Sequence, residues 1–171
     1  MPSPAVPYRI EKLSPSHDRE NFCCGVEPLD RYLQQQAGQD ARRNTAAVSV
    51  LTPDSRTIAG FYTLSALSVP FTDVPLALQK KLPRTPIPCT LLGRMAVDKS
   101  LRGQGLGVHL LMDALHTAYI ASQTIASWAV VVDAKEGARD FYLARGFQNF
   151  LDAENHLFLA METIGKTISS S

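Results

Sequence analysis

A strand-like apolar run ending in Met95-Ala96-Val97 passes through Asp98-Lys99-Ser100-Leu101 into the turn Arg102-Gly103-Gln104-Gly105-Leu106-Gly107, and a helical pattern follows over 106–121. A strand that delivers a glycine-dense turn to a helix start restricts the fold, because the backbone N–H groups of such a turn converge. The helix dipole adds a preference for negative charge, so the turn is suited to phosphate. Spacing excludes the two commonest versions. A Walker loop needs Gly-x-x-x-x-Gly-Lys-Ser/Thr, and the chain has none. A dinucleotide fingerprint needs Gly-x-Gly-x-x-Gly; its third glycine would fall on Leu106 counted from Gly103, and on Leu110 counted from Gly105. What remains is a basic residue, Arg102, ahead of glycines that let a backbone approach a pyrophosphate closely.

The flanking pattern predicts an α+β chain. A short strand is expected over 8–13, a helix over 28–41 with Pro28 near its start, and strands over 46–51 and 57–69 joined by the turn Pro53-Asp54-Ser55-Arg56. Gly60 marks a bulge or a close approach in the second of these. The proline-rich stretch after Phe71 has room for a short helix around 76–82, and 87–97 is the strand that feeds the central turn. The long helix carries Leu110, Leu111, Ala114, Leu115 and Ala118 on one face. An apolar run over 125–132 reads as a strand buried on both sides. A helix over 134–144 is expected to start at Asp133, with Glu136 completing a near capping box, and to stop at Gly146. Strands over 148–151 and 156–161 close the pattern. Early antiparallel strands followed by βα units give a mixed sheet flanked by helices.

At 171 residues, 45% hydrophobic and 19% charged, the expectation is one packed domain over 1–171, with 1–7 and 163–171 as flexible tails. A net charge of +1 supplies no global attraction for nucleic acid, which would need a local basic face. The three cysteines form no Cys-x-x-Cys pair, and His17, His109, His116 and His156 are scattered, so neither a disulfide framework nor a metal site is expected. Without a signal-peptide core or a membrane-length apolar run, a cytoplasmic protein is expected.

In this setting, Arg102 to Gly107 resembles the coenzyme A pyrophosphate loop of the GNAT acetyltransferases, Arg/Gln-x-x-Gly-x-Gly/Ala. The resemblance implies the GNAT fold and acetyl-CoA as cofactor. The backbone of Met95, Ala96 and Val97 would pair with the pantetheine arm, and Arg102, Gly103, Gln104, Gly105, Leu106 and Gly107 would hold the pyrophosphate. A second segment, Ala138-Arg139-Asp140-Phe141-Tyr142-Leu143-Ala144-Arg145-Gly146-Phe147, resembles the GNAT signature Ala-x-x-Phe-Tyr-x-x-x-Gly-Phe. By pattern alone its aromatics are ordinary core residues. The resemblance implies that Phe141 lies at the cofactor and that Tyr142 is the general acid, protonating the departing thiolate. A phenol with its usual pKa of about 10 is protonated at neutral pH and able to donate. No carboxylate stands out as the general base.

Further segments, Phe22-Cys23-Cys24-Gly25-Val26-Glu27-Pro28-Leu29-Asp30-Arg31-Tyr32-Leu33, Ala59 to Ser65 and Pro86 to Asp98, resemble the GNAT toxins of bacterial type II toxin–antitoxin pairs; agreement runs over residues 20–162. This implies acetyl transfer to the α-amino group of an aminoacyl-tRNA, a ribbon-helix-helix antitoxin and a homodimer. Arg42, Arg43, Lys80, Lys81, Arg84 and Arg94 are the candidate tRNA contacts, with Arg102 left to face the cofactor. The same cations also fit a merely solvated surface. The first long helix departs from the toxins' basic pattern, carrying Gln34, Gln35, Gln36 and Gln39. Two other readings stay open: a GNAT enzyme acting on a small-molecule or protein amine, and a non-catalytic GNAT-like binding module.

Overall fold

The computed structural model describes residues 7–135 and 137–170. Its strands are β1 (Arg9–Lys12), β2 (Ala47–Thr52), β3 (Gly60–Val69), β4 (Ile87–Val97), β5 (Ala129–Asp133), β6 (Gln148–Asn149) and β7 (His156–Ala160). They form one mixed sheet in the order β1-β2-β3-β4-β5-β7-β6. The helices are α1 (Glu27–Gln35), α2 (Ala37–Arg43), α3 (Leu76–Gln79), α4 (Leu106–Ser122), α5 (Arg139–Leu143) and α6 (Met161–Ser169). The chain divides into two compact units. One gathers the described residues up to Leu64 with Arg94–Ala114, and the other gathers Ser65–Gly93 with the described residues from Leu115 onward.

In the first unit, β2 runs antiparallel to β1 and to β3. The turn between β2 and β3 is built on Asp54, whose carboxylate accepts the Thr57 amide at 2.6 Å and the Arg56 amide at 2.9 Å. With the Thr57 hydroxyl these bonds hold the Asp54 carboxyl down at about 2. Phe22, Val48, Val50 and Phe61 form the core onto which Tyr32, Leu33 and Ala37 pack. The apolar stripe predicts a single helix over 28–41, but the chain bends at Gln36 (φ −124°, ψ −34°) and makes two. Leu33 and Ala37 are both fully buried on either side of the bend, so the stripe does not record it. At the N-terminal side, buried His17 places Nε2 2.6 Å from the Glu11 carboxylate, within hydrogen-bond distance.

In the second unit, β4 pairs in parallel with β5 at Thr90↔Val130 and Leu91↔Val131, and β7 runs antiparallel to both β5 and β6. Val69, Val74, Ile87, Cys89, Val131, Phe150 and Phe158 are packed together at the core. Three expectations change here. First, β5 begins at Ala129 rather than near residue 125, and Ile125 is 79% exposed. An unbroken apolar run carries no mark of where the strand begins. Second, α5 is shorter than expected. Asp133 does not cap it but ends β5, paired with His156; Ala138 is the N-cap and makes no side-chain cap bond. Glu136, the other half of the expected capping box, lies outside the described residues. Third, most of the expected tail at 163–171 is the helix α6, which buries Met161, Ile164 and Gly165. The N-terminal tail expected over 1–7 lies outside the described residues except for Pro7, which is exposed.

Among the described residues no helix is long and apolar enough to cross a membrane, and no group of three metal-ligating side chains occurs.

Gly60 opens β3 at a point of close approach. A Cβ there would lie 2.9 Å from the Ala96 carbonyl oxygen and 2.8 Å from Leu110 Cδ1. The Leu110 side chain can rotate, but the backbone of β4 has to move. Gly60→Ala is therefore expected to destabilise the fold by about 1–3 kcal/mol, read as a lower urea midpoint; an unchanged midpoint would contradict the close packing.

Candidate active site

The glycine turn belongs to the first unit, and its entry is fixed by hydrogen bonds. The Arg94 amide donates to Thr63 Oγ1 at 3.0 Å, and the Asp98 amide donates to the Ala59 carbonyl at 2.8 Å. Between them Ala96 is buried in the core, while Met95 and Val97 are half-buried. The chain then makes a 3-10 turn over Lys99–Leu101 that Asp98 caps. Asp98 Oδ1 accepts the Ser100 amide at 3.0 Å and the Ser100 hydroxyl at 2.7 Å. Its Oδ2 accepts the Cys23 amide at 3.1 Å. Burial opposes ionisation of this carboxyl, but these donors outweigh it, and its pKa lies below the usual carboxylate value.

Two further bonds join the same stretches. The Lys99 amide donates to the Cys23 carbonyl at 2.8 Å, and the Arg102 guanidinium donates to the Cys24 carbonyl at 2.5 Å. The segment before α1 and the segment before the glycine turn are thus laced together. In the sequence Asp98 is marked only locally. Its signal is an Asp two residues before a Ser at the end of a strand, the pattern of a side chain that caps a local turn.

Past Arg102, Gly103 and Gly105 both take positive φ, +84° and +76°. A Cβ built at either meets no protein atom within 4 Å. Glycine is thus required here by conformation, and the space over the turn is open. Arg102 to Gly105 are exposed, and Leu106 turns inward to anchor the start of α4. The Gly105 carbonyl accepts the His109 amide at 3.1 Å, so the helix is under way directly after the turn. The first amides of a helix have no intrahelical acceptor, and the first turn of α4 holds no acidic residue to compete for them. An open turn with two glycines at positive φ, a helix start and an adjacent guanidinium fits a diphosphate.

In the second unit, α5 carries Phe141 and Tyr142. Tyr142 is buried, with its ring edge-on to Phe141 and to Phe147 at centroid distances of 5.2 Å each. Burial alone pushes its hydroxyl up to about 12. Phe141 is half-buried beneath the Arg145 guanidinium, 4.1 Å from the ring centroid, and Arg145 also donates to the Phe141 carbonyl at 2.9 Å. Arg139 fixes the other end of α5, donating to the Glu154 carbonyl at 2.9 Å and to Asn149 Oδ1 at 2.5 Å.

The candidate tRNA contacts separate by unit. Arg42 and Arg43 are exposed at the end of α2 in the first. Arg94, in the same unit, is half-buried with its guanidinium 3.7 Å from the centroid of Tyr32. Tyr32 in turn donates its hydroxyl to Asp40 at 2.7 Å, so a chain of contacts leads from Arg94 into α2. Burial and the Asp40 carboxylate raise the Tyr32 pKa above the phenol range, which keeps that donor protonated. Lys80, Lys81 and Arg84 are exposed between α3 and β4 in the second unit. Of the histidines, His109 and His116 are exposed, and His156 bonds Asp152 at 2.9 Å.

A family model described as an acetyltransferase (GNAT) domain matches residues 84–158. The chain is 34% identical over 152 residues to the tRNA-acetylating toxin of Mycobacterium tuberculosis, covering 88% of this chain and 90% of that protein. Among solved structures it is similar to AtaT complexed with acetyl-methionyl-tRNAfMet, with a TM-score of 0.89 and 30% identity over 95% of this chain and 99% of that one. It is also similar to a tyrosine-to-phenylalanine mutant of AtaT bound to the C-terminus of the antitoxin AtaR and acetyl-CoA, with a TM-score of 0.81 and 28% identity over 95% of this chain and 99% of that one. Likeness at this level across nearly the whole of both proteins places the family: the chain belongs to the GNAT acetyltransferases and, within them, to the tRNA-acetylating toxins.

Proposed function

We propose that this protein works as a single GNAT domain that transfers an acetyl group from acetyl-CoA to the α-amino group of an aminoacyl-tRNA and so blocks translation. In this reading it acts in the cytoplasm as a homodimer and is silenced by a ribbon-helix-helix antitoxin. The observation that carries the reading is the reach of the likeness. The tRNA-acetylating relative matches over 88% of the chain, whereas the acetyltransferase domain model spans residues 84–158, so the resemblance includes the helices α1 and α2 outside that core.

Acetyl-CoA supplies the activated acyl group as a thioester. Arg102, Gly103, Gln104, Gly105, Leu106 and Gly107 are the residues proposed to hold its pyrophosphate. The open amides of the turn and the start of α4 take the negative charge, and Arg102 adds a positive one. Met95, Ala96 and Val97 offer backbone groups of β4 for the arm that carries the acyl group, and Phe141 is the proposed aromatic contact. Tyr142 is the proposed general acid. Its Oη holds a proton throughout the neutral range, because burial keeps its pKa at about 12. The attacking amine needs no protein base, since an α-amino group with a pKa of about 7.7–8.0 is partly neutral at physiological pH. Arg42, Arg43, Arg94, Lys80, Lys81 and Arg84 are the proposed contacts to the tRNA.

The decisive experiment incubates the protein with labelled acetyl-CoA and total charged tRNA. Label recovered on N-acetylated aminoacyl-tRNA is expected, and label found only on free amines or proteins would overturn the reading. Tyr142→Phe is expected to lower the transfer rate by about 10²–10⁴-fold while acetyl-CoA affinity by calorimetry is kept; full activity would remove its role as acid. Gly105→Val forces a branched side chain to a φ of +76° and into the open turn. At least about tenfold weaker acetyl-CoA binding is expected, a loss of about 1.4 kcal/mol, with unchanged circular dichroism. The rate is also expected to rise between about pH 6 and 8 as the amine deprotonates, with no alkaline decline up to pH 9 because Tyr142 ionises only at about 12. A decline setting in below pH 9 would contradict Tyr142 as the donor.

A further inference from the structure

The second unit holds a groove that the acetyl-transfer chemistry leaves unused. Its walls include Leu82, Pro83, Ile87, Pro88, Ser127 and Trp128, and its volume is about 270 Å³. The walls are stiff. Two are prolines, and the Trp128 amide donates to the Pro88 carbonyl at 2.8 Å. The half-buried indole rests on Phe158, with ring centroids 5.1 Å apart. One polar edge breaks the apolar lining: Ser127 Oγ lies 2.9 Å from Thr90 Oγ1.

The segment that supplies one wall of the groove, residues 74–93, carries charge of one sign only. Lys80 and Lys81 directly precede Leu82, Arg84 directly follows Pro83, and all three are exposed. Among the described residues none of the three has a carboxylate partner. Residues 74–93 and 115–132, which include every residue lining the groove, contain no Asp or Glu. An apolar slot with an aromatic wall, a hydroxyl edge and unneutralised cations beside it matches the chemistry of an unpaired nucleotide. The base stacks and its flanking phosphates meet the cations. A paired base does not fit, because its faces are already covered by its neighbours.

We propose that this groove seats an unpaired nucleotide of the tRNA substrate, stacked against Trp128, with Lys80, Lys81 and Arg84 on the flanking phosphates; the proposal rests on the tRNA reading above. Trp128 is the only tryptophan in the chain, so its fluorescence reports on this site alone. Adding uncharged tRNA to the full-length protein is expected to give a saturable quench of that fluorescence. Replacing Lys80→Glu, Lys81→Glu and Arg84→Glu together, all on the surface, is expected to weaken the quench and to raise KM for charged tRNA by at least tenfold while acetyl-CoA affinity is kept. If tRNA is retained in a filter-binding assay but the fluorescence does not change, the groove is overturned and the tRNA reading stands. If no tRNA binds at all, both fall. Should the fluorescence respond only to protein concentration or to an added antitoxin, the groove is a protein–protein surface and the nucleotide proposal is overturned.

Discussion

The Asp98 carboxylate holds the glycine turn in place. A turn with two glycines at positive φ is conformationally permissive, and that same freedom leaves it without a preferred shape of its own. Its order has to come from its ends. At the entry Asp98 gathers the Cys23 amide and both donors of Ser100, and Arg102 reaches the Cys24 carbonyl. At the exit Leu106 is buried and the first bond of α4 closes on Gly105. A polyanion site made of backbone amides works only if those amides are already converged, because ordering them on binding would subtract from affinity. The contacts that fix the turn lie on either side of the glycines rather than among them.

This arrangement explains what was legible in the sequence and what was not. The strand, turn and helix from Ile87 to Ser122 are readable because each is marked locally, by an apolar run, by glycines and by a helical stripe. Exclusion of two other glycine spacings narrows the ligand without any tertiary information. The partners of Asp98 are not readable in the same way. Cys23 is 75 residues away, and what it offers is a backbone amide that any residue would carry. The bend at Gln36 is hidden for a related reason, since burial of Leu33 and Ala37 is compatible with either one helix or two. The helix α6 is a different case. Met161, Ile164, Gly165 and Ile168 fall at helical spacing, but Thr163 and Thr167 between them and the serines that follow give the segment the composition of a tail. There periodicity outranks composition, because a stripe of a few apolar residues is enough to dock a short helix.

The role proposed for Tyr142 asks a core residue to act as an acid. Its neighbours are aromatic rings, and no charge or hydrogen bond among the described residues contributes to its titration. Desolvation alone moves the phenol up by disfavouring the phenolate. The same burial that makes Phe-Tyr look like plain packing is what keeps the proton on the oxygen. Pattern alone therefore cannot separate the two roles, and the second signature around Gly146-Phe147 is what gives the pair a functional reading.

Charge poses the remaining problem for a protein whose proposed substrate is a polyanion. A net charge of +1 gives almost no long-range attraction, so affinity must come from local cations that are free to meet phosphate. The six candidates are not equivalent in that respect. Arg94 is already stacked on Tyr32 and half-buried, which suits it to fixing the position of a group placed against it more than to neutralising a phosphate in solvent. Arg42 and Arg43 are exposed, but their helix also carries Asp40. Lys80, Lys81 and Arg84 are exposed in a stretch without any acidic residue, beside an aromatic slot. Gln34, Gln35, Gln36 and Gln39 leave α1 and the start of α2 with few cations, Arg31 being paired with Glu27, whereas the acid-free segment before β4 presents exposed cations that have no carboxylate partner among the described residues.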